Sequence, residues 1–264
     1  MSSSGEPGVD WRSTRFGRAA RTYHENTPVQ AAMAQRLARL LPVDFRPASV
    51  LELGCGTGHL TGALVRLLPH AEILATDLSE AMLRHARLGG DGPDRLTWQR
   101  LDARAPRIPG RFFDLVASNA LVQWLPDLEE HFQCCRTLTS QGGRLVVAGL
   151  CDDNFPELDR ILSKPPFGYP PGPGHAVVAV GDAARHSGWE VEFLTPEEWP
   201  TTYPSAKAFL GHLRDSGANR PPPHGKTLGR GALRVLLERL EREAASPEGI
   251  LITWKPWFLL ARAV

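Results

Sequence analysis

The stretch at residues 49–69, SVLELGCGTGHLTGALVRLLP, constrains the fold more than any other part of the chain. An apolar-rich run, VLEL, leads directly into three glycines spaced two apart, and leucines at helical spacing follow. A buried strand that passes through glycines into a helix is the start of a strand–helix–strand crossover unit. Glycine also lets a backbone approach a ligand where any side chain would clash. The stretch therefore predicts a ligand-binding loop at the carboxyl end of a buried strand.

Alternating helix and strand patterns surround this stretch as far as residue 150. A helical pattern begins at Phe16 and continues through Met33 and Leu37, and predicted strands recur at AEILATD, LTWQRLD, FDLVASN and RLVVAGL. The helix LEEHFQCCRTLT is expected to end at Gly142 and Gly143. Such alternation predicts an α/β fold with a doubly wound, mostly parallel sheet of seven strands, covered by helices on both faces.

The chain after residue 150 has a different character. KPPFGYPPGPG at residues 164–174 is too rich in proline for a helix or a strand and is predicted to be a lid loop. Two amphipathic helices, SAKAFLGHLRDSGAN and GALRVLLERLERE, are expected to form a cap over the glycine loop. ILITWKPWFLLARA reads as one final strand, and its Pro256 argues for a bulge or an edge position. The buried face of the second helix is predicted to carry Leu233, Leu236, Leu237 and Leu240.

These patterns divide the chain into three parts. Residues 1–15 are polar and are predicted to be a mobile N-terminus. Residues 16–150 are predicted to form the ligand-binding core with an N-terminal cap helix. Residues 151–264 add the lid loop, the helical cap inserted before the last strand, and the closing strands of the same domain.

Composition argues against several classes of function. The chain of 264 residues has 30 basic and 29 acidic side chains, a formal net charge of +1, so no overall field draws it to nucleic acid or to a membrane. No apolar run reaches the roughly 18 residues of a spanning helix. We therefore expect a cytoplasmic protein with neither nucleic-acid nor membrane partners. Four irregularly spaced cysteines without a CxxC pair predict reduced thiols and no metal site.

Polar side chains close four consecutive predicted strands, whose ends meet at one edge of a doubly wound sheet. Glu52 and Asp77 close the first two strands, and Asp102 and Asn119 close the next two. Ligands of such sheets bind in the crevice at this edge. The glycine spacing alone is a weak signal, because a tight structural turn or a dinucleotide site gives a similar pattern. The form G-x-G-x-G, rather than G-x-G-x-x-G, and the lack of a pattern for hydride transfer disfavour the dinucleotide site.

The loop ELGCGTG, with the acids that follow it, resembles the cofactor loop of class I S-adenosylmethionine-dependent methyltransferases. The resemblance implies a Rossmann-like methyltransferase fold with S-adenosylmethionine as the cofactor. It implies that Asp77 accepts hydrogen bonds from both ribose hydroxyls, which suits a carboxylate because it has two oxygens. It also implies that Asp102 and Ala103 face the adenine amino group, and that Gly54 lies near the carboxypropyl group. The remaining residues of the implied cofactor site are Glu52, Gly56, Gly58, Leu78 and Asn119.

Two further segments resemble the malonyl-carrier-protein O-methyltransferases of the biotin pathway. The pattern F-x-R-A-A-x-x-Y is matched by Phe16, Arg18, Ala19, Ala20 and Tyr23. The pattern N-x-x-x-Q-W is matched by Asn119, Gln123 and Trp124. FPELDRIL and YPSAKAFLGHLRDSGAN also resemble this family. The resemblance implies methyl transfer from S-adenosylmethionine to the free carboxylate of a malonyl thioester on acyl carrier protein, early in biotin synthesis.

Two alternatives stay open. TWKPWFLLARA departs from the family's closing strand, and trans-aconitate methyltransferases share parts of NALVQWLPD. The acceptor is therefore alternatively a free small-molecule carboxylate or hydroxyl. A non-catalytic module that binds the cofactor and a partner is the second alternative.

The reaction implied by this resemblance needs little chemistry from the protein. A malonyl carboxylate is ionised near neutral pH, so no general base is needed, and the site must align the reactants and exclude water. Tyr23 is predicted to cap the reacting end, and Ser118, Asn119 and Trp124 are predicted to form its floor. Arg160 is the candidate that holds the carboxylate, with a solvent-facing helix residue as the alternative interpretation.

A carrier protein is expected to be acidic, so its partner needs a basic docking surface. Residues 220–237 contain four Lys or Arg side chains and no Asp or Glu. Two of the four lie four residues apart and share one face of the predicted helix. The segment predicts a docking site for acyl carrier protein, with an ordinary solvated helix and loop as the alternative. The predicted docking residues are Arg220, Lys226, Arg230 and Arg234.

Overall fold

The computed structural model describes residues 20, 22–88, 92–169, 172, 174–216 and 228–264 of the chain. Its helices are α1 (Pro28–Ala38), α2 (His59–Leu67), α3 (Glu80–Leu88), α4 (Leu128–Thr137), α5 (Pro156–Leu162), α6 (Val177–His186), α7 (Ala206–Asp215) and α8 (Arg230–Glu243), with a 3₁₀ helix at Val122–Trp124. Its strands are β1 (Ser49–Leu53), β2 (Glu72–Asp77), β3 (Leu96–Arg100), β4 (Phe113–Asn119), β5 (Thr139–Leu150), β6 (Trp189–Pro196), β7 (Trp199–Tyr203), β8 (Ala245–Ser246), β9 (Gly249–Trp254) and β10 (Pro256–Ala263).

Seven of these strands form one sheet in the order β3-β2-β1-β4-β5-β10-β6. Every pairing from β3 to β5 is parallel, and β10 runs antiparallel to both of its neighbours, β5 and β6. The strand order reverses beside β1, where β2 lies on one side and β4 on the other, so the topological switch point lies at the carboxyl end of β1. The predicted doubly wound, mostly parallel seven-stranded sheet is confirmed.

Strand β1 is buried at four of its five positions because helices cover both faces of the sheet. Val50 packs into an apolar cluster with Met33 of α1 and Leu64 of α2. Leu51 points to the opposite face and packs into a second cluster with Phe132 of α4. These two clusters are the cores on the two faces of the sheet, and they hold the carboxyl end of β1 in a fixed position.

The C-terminal segment forms two strands rather than the one predicted. Strand β9 pairs with β7 and β8 in a small three-stranded sheet, and β10 enters the large sheet between β5 and β6. The chain passes from one sheet to the other at Lys255. The prediction of an edge position for Pro256 is wrong, because β10 is paired on both sides. Proline is tolerated there because it is the first residue of its strand.

Two predicted helix boundaries also differ from those in the structure. The helical pattern predicted from Phe16 is interrupted rather than continuous: Ala20, Thr22 and Tyr23 are helical, residues 24–26 form a turn, and α1 begins at Pro28, whose fixed φ suits the first turn of a helix. Helix α4 ends at Thr137, and Gly142 and Gly143 lie inside β5. They occupy the irregular part of β5, where its register with β4 shifts.

Helix α8 has a narrower buried face than its sequence predicts. Leu236 and Leu240 are buried as expected, but Leu233 has 40% of its surface exposed and Leu237 is only partly buried. The line of buried residues through Leu236 and Leu240 continues at Ala244, just after the end of the helix. The first turns of α8 therefore face mainly the solvent.

The four cysteines are free thiols, and three of them are buried. Among the residues that the structure describes, no helix combines the length and the apolar character needed to cross a membrane.

Gly149 tests the packing between β5 and β10. A Cβ atom there would lie 2.5 Å from Cζ2 of the fully buried Trp257, its partner in the pairing. We expect Gly149→Ala to lower the free energy of unfolding by about 1–3 kcal/mol through overpacking. Gly211→Ala in α7 is the matched control, since nothing lies near its Cβ position and alanine favours a helix. Urea unfolding measures both, and an unchanged stability of Gly149→Ala would contradict this packing.

Candidate active site

The loop between β1 and α2 has a backbone that favours glycine. Gly54, Gly56 and Gly58 have φ angles of +69°, +55° and +94°, in the left-handed region that other residues rarely adopt. A Cβ atom on Gly54 would also lie 2.9 Å from Leu121 Cδ1. Gly54 and Gly56 line a pocket, so the absence of side chains brings the loop backbone close to whatever that pocket binds.

This first pocket opens at the carboxyl ends of the strands β1 to β4. It has an empty volume of about 800 Å³, counting the space open to solvent. Its wall contains nine of the predicted site residues: Tyr23, Gly54, Gly56, Asp77, Leu78, Asp102, Ala103, Asn119 and Trp124. It also contains Ser79, Met82, Leu101, Arg104, Ala120, Leu121 and Leu125.

Asp77 joins the wall of the first pocket to the glycine loop. Its Oδ2 accepts a hydrogen bond from the Gly56 N–H at 2.9 Å, and its Oδ1 accepts one from the Ser79 N–H at 2.8 Å. Burial raises the pKa of Asp77 above its usual value, and these two N–H groups oppose the rise. Each carboxylate oxygen has a further lone pair that can accept a hydrogen bond from a ligand.

Asp102 is paired with a basic residue that the sequence analysis did not single out. The Arg104 Nε donates to Oδ1 and Oδ2 of Asp102 at 3.0 and 2.9 Å. Both residues line the first pocket and both are partly exposed. The spacing of an acid and a base two residues apart after β3 is the only sequence signal for this pair.

His131 of α4 supports the Asp102 segment from behind. Its Nδ1 lies 2.9 Å from the carbonyl oxygen of Ala103, and burial lowers the pKa of His131 to about 4. The ring is therefore neutral near pH 7, and its Nδ1–H donates to that carbonyl. The Cys135 Sγ lies 3.6 Å from its Nε2. The described part of the chain contains no cluster of His, Cys, Asp and Glu that fits a metal ion.

Glu52, Gly58 and Ser118 were predicted at the site but lie behind the pocket wall. Gly58 precedes the first turn of α2, and Ser118 is buried in β4 with no hydrogen-bond partner for its Oγ among the described residues. The Glu52 carboxyl lies under the loop, where Thr61 Oγ1 donates to its Oε2 at 2.6 Å. Burial, with a smaller contribution from the Asp77 charge, raises the pKa of Glu52 to about 8.

A second pocket adjoins the first, and the two share Tyr23, Ala120 and Trp124. One of its walls is aromatic, where Phe155 meets Trp254 edge to face with ring centroids 4.5 Å apart. The described part of its lining contains no charged side chain. Sequence reasoning missed this pocket, because its residues come from separate parts of the chain. Its other lining residues are Gln30, Gln123, Leu150, Asn154, Gly172 and Ser216.

The segment before α1 is fastened to the glycine loop. The His24 ring stacks on the His59 ring with centroids 4.3 Å apart. The His59 Nε2 donates to Thr27 Oγ1 at 2.9 Å, and Thr27 Oγ1 donates to the Tyr23 carbonyl at 2.6 Å. Burial lowers the pKa of His59 to about 4, so this ring is neutral near pH 7. These contacts hold Tyr23 beside Gly56. Phe16, Arg18 and Ala19 of the predicted N-terminal cap helix lie outside the described residues.

Arg160 reaches neither pocket. It lies on the exposed side of α5, because Leu158 and Ile161 take the buried side of this short helix. Its neighbour Asp159 accepts a hydrogen bond from the Gly172 N–H, and burial raises the pKa of Asp159 to about 6. The structure therefore gives no geometric support to Arg160 as the residue that holds a carboxylate. Its position fits the solvent-facing interpretation.

Arg230 and Arg234 lie in the first turns of α8 and are exposed. The Arg234 Nε lies 3.7 Å from Glu238 Oε1, and 79% of the Arg234 side chain is exposed. Further along the helix, Arg239 donates to the Pro165 carbonyl at 3.0 Å, so α8 contacts the start of the proline-rich loop. The other two predicted docking residues, Arg220 and Lys226, lie outside the described residues.

Comparison with known proteins assigns this arrangement to a family. Residues 50–143 match the model of a methyltransferase domain. The malonyl-[acyl-carrier protein] O-methyltransferase of Magnetococcus marinus is 33% identical over 229 residues, a match that covers 84% of this chain and 82% of that protein. The chain belongs to the malonyl-carrier-protein O-methyltransferase family. The bifunctional biotin biosynthesis protein BioCD of Bordetella avium is 30% identical over 261 residues, which cover 90% of this chain and 53% of that protein.

A solved structure with a lower sequence identity to this chain has the same fold. The S-adenosylmethionine-dependent methyltransferase of Mesorhizobium loti superposes with a TM-score of 0.51 at 20% identity, and the match covers 86% of this chain and 95% of that one. The seven-stranded sheet is thus the Rossmann-like sheet of methyltransferases.

The first pocket of this methyltransferase has groups that fit S-adenosylmethionine, the methyl donor of such enzymes. Its two carboxylates, Asp77 and Asp102, suit the hydroxyl and amino donors of a nucleoside. Asn119 Nδ2 donates to the Gln30 carbonyl at 3.0 Å, whereas its Oδ1 is buried without a partner among the described residues. A buried acceptor of this kind needs a donor, and an amino group of the ligand is a suitable one.

Glu52 provides a test of the buried carboxyl under this pocket. Its pKa rises from an ordinary 4.5 to about 8 on folding, so between these values the folded protein binds a proton that the unfolded chain has released. The contribution of Glu52 to stability without cofactor should therefore fall as pH rises from 5 to 8, by at most about 1.4 kcal/mol per pH unit. His59 and His131, whose lowered pKa values make stability rise with pH up to about 6.5, oppose it in the lower part of this range. Between pH 5 and 8, stability should therefore rise more, or fall less, in Glu52→Gln than in the original protein, measured by urea unfolding.

The control for Glu52→Gln is Glu72→Gln, at an exposed position of β2. This variant should keep the pH dependence of the original protein. If Glu52→Gln also kept it, Glu52 would not be the buried acid responsible.

Proposed function

We propose that this protein transfers the methyl group of S-adenosylmethionine to the free carboxylate of a malonyl group on an acyl carrier protein, an early reaction of biotin synthesis. The observation that carries the proposal is the wall of Tyr23, Ala120 and Trp124 that the two pockets share. An acceptor in the second pocket would meet the cofactor in the first across this wall. The names of the two relatives, one for malonyl-carrier protein and one for biotin synthesis, support the same acceptor.

The cofactor side of the site uses groups already fixed by the fold. S-adenosylmethionine supplies a methyl group that is activated on a positively charged sulfur. We assign the ribose hydroxyls to Asp77 and the adenine amino group to Asp102 with Ala103. Asn119 offers its unpartnered Oδ1 to the amino group of the ligand, and Gly54 lets the backbone lie close to the carboxypropyl group.

The acceptor side needs alignment and exclusion of water rather than proton transfer. A malonyl carboxylate is already ionised at neutral pH. Burial, with the Asp77 charge as a smaller contribution, raises the pKa of Tyr23 above its usual range. Tyr23 therefore remains a neutral phenol at pH 7 and caps the site without acting as a base. With Trp124 it shields the reacting carboxylate from water, which leaves this nucleophile less solvated.

Asp77→Asn tests the cofactor site. The amide keeps the size of the side chain, but its NH₂ group faces the N–H of Gly56 or of Ser79 and cannot accept from the ligand. We expect the dissociation constant for S-adenosylhomocysteine to rise at least about tenfold, measured by calorimetry. Asp182→Asn, at an exposed ion pair of α6, is the control and should bind normally. Equal affinity in both variants would contradict the assignment.

The acceptor is tested by methyl transfer from labelled S-adenosylmethionine, with a reaction that lacks the protein as the blank. Malonyl-carrier protein, malonyl-coenzyme A, malonate and trans-aconitate are compared at equal concentrations. Label on the carrier-bound malonyl group supports the proposal. Label on free acids alone would instead support the small-molecule alternative, and cofactor binding without transfer to any acceptor would support a non-catalytic module.

Arg230 and Arg234 are proposed to contact the acidic carrier protein. Their reversal to Glu should raise the KM for malonyl-carrier protein about 5- to 10-fold at low salt, less at 0.5 M salt, because attraction between exposed charges is screened. The KM for a short malonyl-pantetheine thioester should not change. Arg242→Glu, in an exposed pair at the other end of α8, is the control. Equal losses with both acceptors would contradict a docking role.

A further inference from the structure

Two glutamines in the second pocket have unused hydrogen-bonding capacity. Gln30 of α1 and Gln123 of the 3₁₀ helix both line the pocket, and only 6% and 9% of their surfaces are exposed. Neither Oε1 atom has a hydrogen-bond partner among the residues that the structure describes. The Gln123 Nε2 donates to the Ala120 carbonyl at 2.9 Å. Each of these two nearly buried amides therefore has a side-chain oxygen without a hydrogen-bond partner among the described residues.

Such an arrangement is unfavourable unless a ligand completes it. A buried polar atom without a partner lowers stability, and most buried side-chain polar atoms in proteins are paired. A glutamine amide can turn about its last torsion and present either its oxygen or its NH₂ group to the same point. Gln30 can thus turn its N–H donors towards an acceptor-only group such as a carboxylate. Gln123 can offer the second N–H of its Nε2 to the same group while the first keeps its bond to the Ala120 carbonyl.

The position of the two amides matches the place where the reacting carboxylate must lie. Gln123 is next to Trp124, which belongs to the wall shared with the first pocket. The backbone carbonyl of Gln30 accepts a hydrogen bond from Asn119 Nδ2 at 3.0 Å. The backbone of Gln30 is therefore bound to a residue in the wall of the first pocket. Because the described lining has no charged side chain, N–H and O–H groups are the means by which this lining can hold an anion.

We propose that Gln30 and Gln123 bind the carboxylate of the acceptor and determine the preference for a carboxylate. This inference rests on the proposed methyl transfer to malonyl-carrier protein. The turned amide of Gln30 and the second N–H of the Gln123 amide donate hydrogen bonds to the carboxylate at the shared wall, and one of its oxygens attacks the methyl group. The new O–CH₃ bond forms as the S–CH₃ bond breaks, the sulfur keeps the electron pair, and the product is a neutral ester.

The charge change in this reaction predicts a distinctive kinetic effect. The acceptor carboxylate is fully charged when it binds and loses charge as the methyl group is transferred. N–H donors therefore stabilise the bound carboxylate more than the transition state, and their loss raises KM rather than lowering kcat. A residue with only a structural role would not produce this separation.

The test uses Gln30→Met, which keeps the size of the side chain, with Gln35→Met on the exposed face of the same helix as the control. We expect the KM for malonyl-carrier protein to rise about 10- to 100-fold in Gln30→Met, with kcat changed by less than about threefold. The affinity for S-adenosylhomocysteine should not change. Gln123→Met should show the same pattern. Gln35→Met should behave like the original protein.

A second variant guards against an effect of folding alone. Gln30→Glu places a carboxylate opposite the acceptor, so its KM should exceed that of Gln30→Met at pH 8 and recover as the pH falls towards 6. Unchanged KM values in Gln30→Met and Gln123→Met, or a parallel loss of S-adenosylhomocysteine affinity, would overturn the inference. If the original protein did not methylate malonyl-carrier protein, the proposed function would fail instead, which is a separate outcome.

Discussion

The hydrogen bonds that Asp77 makes with its two backbone partners are the interaction on which the rest of the site depends. Strands β1 and β2 are parallel and paired from Ser49↔Glu72 to Leu53↔Thr76, so their carboxyl ends lie side by side. One carboxylate can therefore accept from Gly56 in the loop after β1 and from Ser79 after β2. This bridge fixes the loop in its left-handed conformation. It thereby sets the position of His59 in the first turn of α2, against which the segment with Tyr23 is fastened.

The second pocket depends on the passage of the chain between the two sheets. Trp254 ends β9 in the small sheet and lines the pocket, whereas Trp257, three residues later, is buried in the core of the large sheet. The Trp257 Nε1 donates to the Leu150 carbonyl at 3.1 Å, and Leu150 is also part of the pocket wall. The crossing at Lys255 thus joins the aromatic wall of the pocket to the interior of the protein. The acceptor side is built on rigid strands as well as on loops.

The sequence predicts well those features that depend on neighbouring residues. The strand at Phe113–Asn119 and the loop with Gly54 follow from local patterns, and the structure has them where expected. Pairing between distant segments has no local signal, so the division of the last strand at Lys255 was missed. The exposed position of Arg160 also has no local signal, because the residues that pack beneath a short helix decide which of its sides is buried. The second pocket was missed because no single segment contains enough of it to form a pattern.

The charges of the two pockets are suited to opposite partners. Glu52 and Asp77 are buried acids with raised pKa values, so the chain alone stabilises their ionised forms poorly. A ligand with a positive sulfur in the first pocket would favour those ionised forms, because opposite charges attract strongly where water is excluded. The second pocket, whose described lining is uncharged, leaves the acceptor carboxylate with its own negative charge. Methyl transfer cancels the charges of the two reactants, and a neutral wall does not oppose this cancellation as a fixed cation beside the carboxylate would.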